Sequence, residues 1–319
     1  SDLTSNLTLL ADSEIYFNGG NILNYSGAEV SVGKVLTLGG NGQLQNTSDL
    51  NLGAGGKLKL SEISVAKVIT SADSLGLDVA DNSTVSSLSV AHITPVSIAS
   101  GKTLSGGITV TAGSIKLGET GTLGSTVSMS GGTLDADNNL TLSGALSHSG
   151  DITIDVYSNK TLTYSGTAIN VGANTITLSG GGSLVSGGIT LNNAQSKLLL
   201  NSITLDSAST SANSLGLDVD GNSAITSLSV GHITPVSIKA NRTLSGSIAV
   251  TAGSIKLGET GTLASTVSMS GGTLDADNNL TLSGGLTQSG NITIDVAEDK
   301  TLGYSGAAVN LGAKTLTMS

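Results

Sequence analysis

The chain has 319 residues and a formal net charge of −10, and its 13 basic residues form no patch or stripe, which excludes a nucleic-acid partner. It has no cysteine, so a disulfide frame, a thiol site and cysteine-ligated zinc are excluded too. Hydrophobic residues make up 38%, aromatic ones 2% and charged ones 11%, which predicts a narrow aliphatic interior under a surface of Ser, Thr, Asn and Gly, and argues against disorder.

Along the chain, apolar residues come in pairs with one residue between them: Leu36-Thr-Leu38, Ile108-Thr-Val110, Leu140-Thr-Leu142, Ile152-Thr-Ile154, Ile176-Thr-Leu178, Ile189-Thr-Leu191, Ile203-Thr-Leu205 and Leu316-Thr-Met318. Alternation over so few residues predicts short strands, aliphatic side chains inward and Thr outward. Single inward positions are expected between them at Leu117, Leu123, Leu134, Leu146, Leu162 and Leu184, close to glycine turns. No window has helical spacing, so no helix is expected. Proline occurs only at Pro95 and Pro235, in two copies of ITPVSI read as turns or strand starts, because proline cannot donate to a ladder. No run of 18 apolar residues could span a membrane, and Ser1-Asp2-Leu3 does not begin a signal peptide, so the signal of an exported parent is expected outside this sequence.

The chain repeats itself. Residues 111–144 recur as 251–284, 140 residues on, with a single change of Gly124 to Ala264. Residues 74–79 return at 214–219, and Tyr-Ser-Gly stands at Tyr25, Tyr164 and Tyr304. A fixed internal period is the mark of an architecture in which each unit touches only its neighbours. The expected organisation is one continuous β-solenoid over residues 1–319, with a partial unit to about residue 60, a unit at 61–200 and an incomplete one at 201–319. A sandwich would need more hairpin dipeptides than Asn18-Gly19, Asn41-Gly42 and Asp220-Gly221. About seven turns of roughly 20 residues fill one period, and about 16 turns at about 4.8 Å give a length on the order of 75 Å.

The succession of GxLT-type and NLTLSG strands between Gly, Ser and Asn turns resembles the right-handed, single-stranded parallel β-helices of bacterial surface adhesins, the filamentous-haemagglutinin-like and autotransporter passenger proteins. That resemblance implies a secreted or cell-surface location and a structural or adhesive role without catalysis. The partners it implies are a host-cell surface, an extracellular-matrix protein, a glycan or neighbouring copies of the chain. The alternatives are a self-assembling matrix or sheath protein, an ice-binding solenoid and a polysaccharide-active β-helix enzyme.

Candidate chemistry is sparse. Asp135 and Asp137, repeated as Asp275 and Asp277, form the best carboxylate pair, but Arg242 is the only arginine and no aromatic lies beside the pair in sequence, so a solvated turn is expected. Asp218, Asp220 and Asn222 resemble the start of a calcium loop without its downstream Glu, and their counterpart at Asp78, Asp81 and Asn82 has lost the register, so calcium is a weak expectation and no other metal or cofactor is expected. His92 and His232 are equivalent and His148 is replaced by Gln288 in the second copy, and all three read as structural or surface histidines. The glycines of 39–42 lack the GK[ST] of a phosphate loop and read as a turn. Thr109, Thr111, Thr153, Thr175 and Thr177 come close to an ice-binding row, with Ala249 breaking it in the second copy. Asn-x-Ser/Thr sequences stand at Asn6, Asn24, Asn46, Asn82, Asn139, Asn159, Asn241, Asn279 and Asn291 as candidate glycan sites. Ligand contacts are expected from outward Ser, Thr, Asn and the few Tyr.

Overall fold

A computed structural model describes residues 1–311 and 313–319. These residues are all-β, without a helix, and their parallel strands stack as a β-solenoid of about 16 turns. They divide into two compact units, Ser1–Gly166 and Thr167–Ser319.

Within each unit every turn gives one strand to a sheet we term sheet B. In the first unit these strands run from Ser13–Tyr16 through Lys57–Ser61, Gly76–Val79, Ile93–Ile98, Ser114–Leu117 and Thr133–Ala136 to Ile152–Val156, and in the second from Thr175–Ser179 to Leu316–Met318. The other strands form sheet A, either as two short strands per turn, such as Thr122–Leu123 and Thr126–Met129, or as one long bent strand such as Thr103–Val110. The bend falls at Gly106, where the ladder between Ser83–Val90 and Thr103–Val110 shifts register.

Alternation explains both the strands and the core. Leu58, Leu77, Val96, Leu117, Ala136 and Val156 are direct neighbours in successive turns of sheet B, all of them buried. Like thus stacks on like, each aliphatic side chain worth about 2 kcal/mol when removed from water. The turns are not uniform: register partners lie 19 residues apart from Leu58 to Leu77 and 24 apart from Ile294 to Met318. The loops absorb the difference. Among the expected inward residues, Leu117, Leu123, Leu134, Leu162 and Leu184 are buried, while Leu146 is only half-buried and Met318 is 64% exposed.

Of the two readings of the prolines, a turn or a strand start, the structure takes the second. Pro95 is the third residue of Ile93–Ile98 and Pro235 the second of Thr234–Ile238, each strand paired on both sides. They are tolerated because pairing with the preceding strand Gly76–Val79 begins only at Val96, one residue past the proline, so its missing N–H falls outside that ladder. Gly76 makes the close approach possible. Its φ is +77°, and a Cβ there would lie 1.8 Å from the Pro95 carbonyl oxygen.

Candidate functional site

The Asp135 carboxylate stands in a cross-turn row with Lys116 on one side and Asp155 on the other. Lys116 Nζ meets Asp135 Oδ2 at 2.7 Å, and only 12% of the Asp135 side chain is exposed. Burial pushes the Asp135 carboxyl above its ordinary value of 3.8; the Lys116 hydrogen bond opposes this, and the charges of Asp137 and Asp155 add to it. Its hydrogen bond to Asp135 holds the Lys116 ammonium above its usual value. The second copy repeats the arrangement, with Lys256 2.9 Å from Asp275 and Asp295 in the next turn. Asp135 is therefore a covered member of an ion pair and not a solvated turn residue, whereas Asp137 lies in the bend after the strand. Spacing along the chain also hid a neighbour. Tyr157 donates its backbone N–H to Ala136 O at 3.0 Å, which brings an aromatic residue, 58% exposed, one turn away from Asp137.

The calcium candidates do not converge. Asp218 is held by Lys197 at 2.5 Å, and the Asn222 side-chain oxygen accepts the Thr243 backbone N–H at 3.1 Å. In the first copy Asp78 pairs with Lys57 and Asp81 with Lys102, each at 2.7 Å, and Asn82 accepts from Thr103 N at 2.9 Å. The Lys102 hydrogen bond is the main cause that lowers the Asp81 carboxyl below its ordinary value. Among the described residues no group of three or more His, Cys, Asp or Glu is placed to hold a metal ion. His148 Nδ1 lies 3.1 Å from Gly150 O, and the backbone carbonyls of His92 and His232 accept the hydroxyls of Thr94 and Thr234 at 3.1 Å. At 39–42 the Tyr16 ring lies across the glycines, so close that a Cβ on Gly40 would come within 2.7 Å of it.

The threonines chosen for an ice-binding row do not form one row within the first unit. Thr109 belongs to sheet A and Thr153 to sheet B, while Thr111 follows its strand and Thr175 and Thr177 lie in the second unit. A different row exists in sheet A, where Thr103, Thr122, Thr141 and Thr163 are neighbours in four successive turns. Beside it run Ser89, Thr109, Ser128 and Ser147, again one per turn. Outward positions of sheet B carry the Lys–Asp pairs, and these rows of sheet A carry uncharged hydroxyls.

The tyrosines of the Tyr-Ser-Gly motifs are corner posts more than contact residues. Tyr25 and Tyr164 are buried and Tyr304 is partly covered. The Tyr25 hydroxyl donates to Ala28 O at 2.6 Å and accepts the Leu7 N–H at 3.2 Å from the turn before. Tyr304 repeats this toward Ala307 O and Leu286 N, and the Tyr164 hydroxyl accepts from Leu146 N. The most exposed tyrosines are Tyr16 and Tyr157.

The asparagines likewise join turns. Asn139, Asn279 and Asn291 accept the backbone N–H of Thr161, Thr301 and Thr315, as Asn6 does that of Ala28. Asn46 is no glycan acceptor, since it is 2% exposed and its amide is fully bonded within the fold. Asn159 and Asn241 stand exposed at left-handed turn positions, φ +61° and +62°. Sheet A carries a groove of about 470 Å³ beside Asn24, Gln43, Gln45 and Asn46, and one of about 490 Å³ beside Ser202, Thr204, Asn222 and Thr243.

No protein-family model, no curated protein and no solved structure matches the chain.

Proposed function

We propose that this chain is a structural and adhesive segment of a large, repetitive, secreted bacterial surface protein of the filamentous-haemagglutinin-like or autotransporter-passenger kind, acting as a stalk that also binds. The observation that carries the reading is the pair of uncharged hydroxyl rows on sheet A, one residue per turn over four turns. Such a surface offers many weak donors and acceptors at one repeat distance, suited to multivalent contact with a host-cell surface, a matrix protein or a glycan. Parallel ladders and a dry aliphatic core supply the mechanical part. No catalytic role is proposed, because the most covered carboxylates are committed to lysines.

The test is saturable binding of the labelled protein to host cells, matrix proteins and glycans. Dose-dependent binding to one class supports adhesion, and no binding to any of them by a protein with β-type circular dichroism leaves a spacer. A second reading, self-assembly into a matrix or sheath, is favoured by a recurring apolar pair, Leu75 with Ile93 and Leu215 with Ile233, all between 40% and 55% exposed. Concentration-dependent fibres by light scattering and negative stain would support it, and a monodisperse protein would count against it.

A further inference from the structure

We propose that the corner of sheet A between strands Gln43–Asn46 and Ser64–Thr70 is a binding site for an uncharged oligosaccharide, an inference that rests on the adhesive reading above. The corner is built around Asn46. Its Nδ2 donates to Ser48 O at 2.8 Å and Lys67 O at 2.7 Å, and its Oδ1 accepts the N–H groups of Ala66 and Lys67 at 3.2 Å. One buried amide thus fixes the chain on both sides of the bend, and the concavity outside it is the groove of about 470 Å³.

The groups that line the groove have the chemistry of a sugar site. Asn24 and Gln45 are direct neighbours in adjacent turns, with Gln43 one outward position away. Gln45 Nε2 donates to Gln43 Oε1 at 3.1 Å, which leaves Gln45 Oε1 as an acceptor and Gln43 Nε2 as a donor. Asn24 Nδ2 is taken by Asp2 at 2.6 Å, leaving its oxygen as a further acceptor. A donor and acceptors set side by side answer the paired hydroxyls of a sugar ring, each of which both gives and accepts a hydrogen bond. No charged side chain lines the groove, and its margin carries one charge of each sign, the Lys67 ammonium donating to Thr47 O at 3.2 Å and the Asp2 carboxylate accepting from Asn24, so neither an anion nor a cation is favoured over a neutral ligand. Leu44 and Tyr25 lie buried in its floor, and more of the exposed lining is apolar than polar, which leaves room for the C–H face of a sugar ring beside the amides.

The second unit is an internal comparison. Ser183 and Val185 replace Gln43 and Gln45, and Asp206 replaces Ala66. That carboxylate pins the corner from the opposite side, accepting from Ser186 N at 2.9 Å, Ser186 Oγ at 3.2 Å and Ser207 N at 2.8 Å. The amide pair is absent there and a charge is present, so the site belongs to the first unit alone.

Titration calorimetry of the whole chain with cellohexaose, maltohexaose and N-acetylchitohexaose, with hexagalacturonate as the charged counterpart, tests this. The expected result is one site per chain for at least one neutral hexasaccharide, with affinity unchanged between low and high salt. The Gln43→Ala/Gln45→Ala variant should lose at least tenfold in affinity while its circular dichroism and urea midpoint match the parent, and Ser183→Ala should bind as the parent does. Failure of all three neutral sugars, binding of hexagalacturonate alone, or undiminished binding by the double variant overturns the proposal. Adherence to cells separates the two readings. If the double variant still adheres as the parent does, the groove is rejected and the adhesive reading stands; if the parent neither adheres nor binds, both fall.

Discussion

Residues 76–156 keep the duplication closely, and the corner near residues 43–70 does not. In sheet B, residues 76–79, 94–98, 114–117, 133–136 and 152–156 are identical to their counterparts 140 positions on, outward residues included. In sheet A, Thr122–Leu123, Thr126–Met129 and Leu140–Leu142 are likewise identical to their counterparts, whereas Ser64–Thr70 shares only its last residue with Thr204–Thr210. The outward residues of sheet B reach across turns, since Lys57–Asp78, Lys116–Asp135, Lys197–Asp218 and Lys256–Asp275 all join neighbouring strands. Each involves a lysine that is about a third exposed, so each adds no more than about 1 kcal/mol, and their main effect is to mark the register. Sheet A keeps its corner by two unrelated devices, Asn46 in one unit and Asp206 in the other. The fold requires an anchored corner, and the identity of the anchor is free.

The largest effect that would sharpen this comparison is expected at Gly76. Gly76→Ala sets a methyl against the Pro95 carbonyl at a left-handed φ, and should cost more than about 3 kcal/mol, read as a fall in the urea midpoint. A midpoint unchanged from the parent would show that sheet B yields as readily as sheet A. Next is Asn46→Ser, expected to lose about 2 kcal/mol by leaving buried backbone groups unpaired. Adding Ala66→Asp, which copies the second unit's anchor, should recover about 1 kcal/mol in a double-mutant cycle. If the two changes are merely additive, the corners are not interchangeable.

A smaller, pH-dependent effect is expected at Asp135. Its carboxyl is raised in the fold, so the folded chain holds that proton more tightly than the unfolded one. Its contribution to stability is therefore greatest in acid and is lost as pH rises from the unfolded value of 3.8 through the folded one. Subtracting the midpoint-versus-pH curve of Asp135→Asn from that of the parent should show this fall; a difference that rises with pH over the same range would refute the assignment. The smallest effect is Lys57→Ala, below about 1 kcal/mol by the same denaturation assay.

The solenoid was legible because alternation is a local signal: Leu140-Thr-Leu142 tells its own inward and outward sides. What escaped the sequence were partners about one turn away. The Tyr25 hydroxyl answers Leu7, 18 residues earlier, a partner that counting the few Tyr among the expected ligand contacts did not foresee. Asn46 sits in a sequence of Asn-x-Ser form, and only the bend at Ala66–Lys67 shows why it must be buried. Tyr157 and Asp137 are 20 residues apart in sequence and one turn apart in space. The row of Thr103, Thr122, Thr141 and Thr163 was hidden because turn lengths differ, so no constant step along the chain finds it. A solenoid's surface chemistry is written at the spacing of its turns, and that spacing must be known before the surface can be read.

The sequence period and the winding are commensurate. Seven strands of sheet B, from Lys57–Ser61 to Thr175–Ser179, precede Lys197, which stands 140 residues after its equivalent Lys57. A whole number of turns per copy means that crossover between copies in the gene removes or adds complete turns and leaves every leucine in phase. The number of turns then becomes an inheritable quantity that can change in one step without a folding defect. A chain from which residues 61–200 are deleted should keep its β-type circular dichroism and cooperative unfolding, whereas a deletion ten residues shorter should lose both.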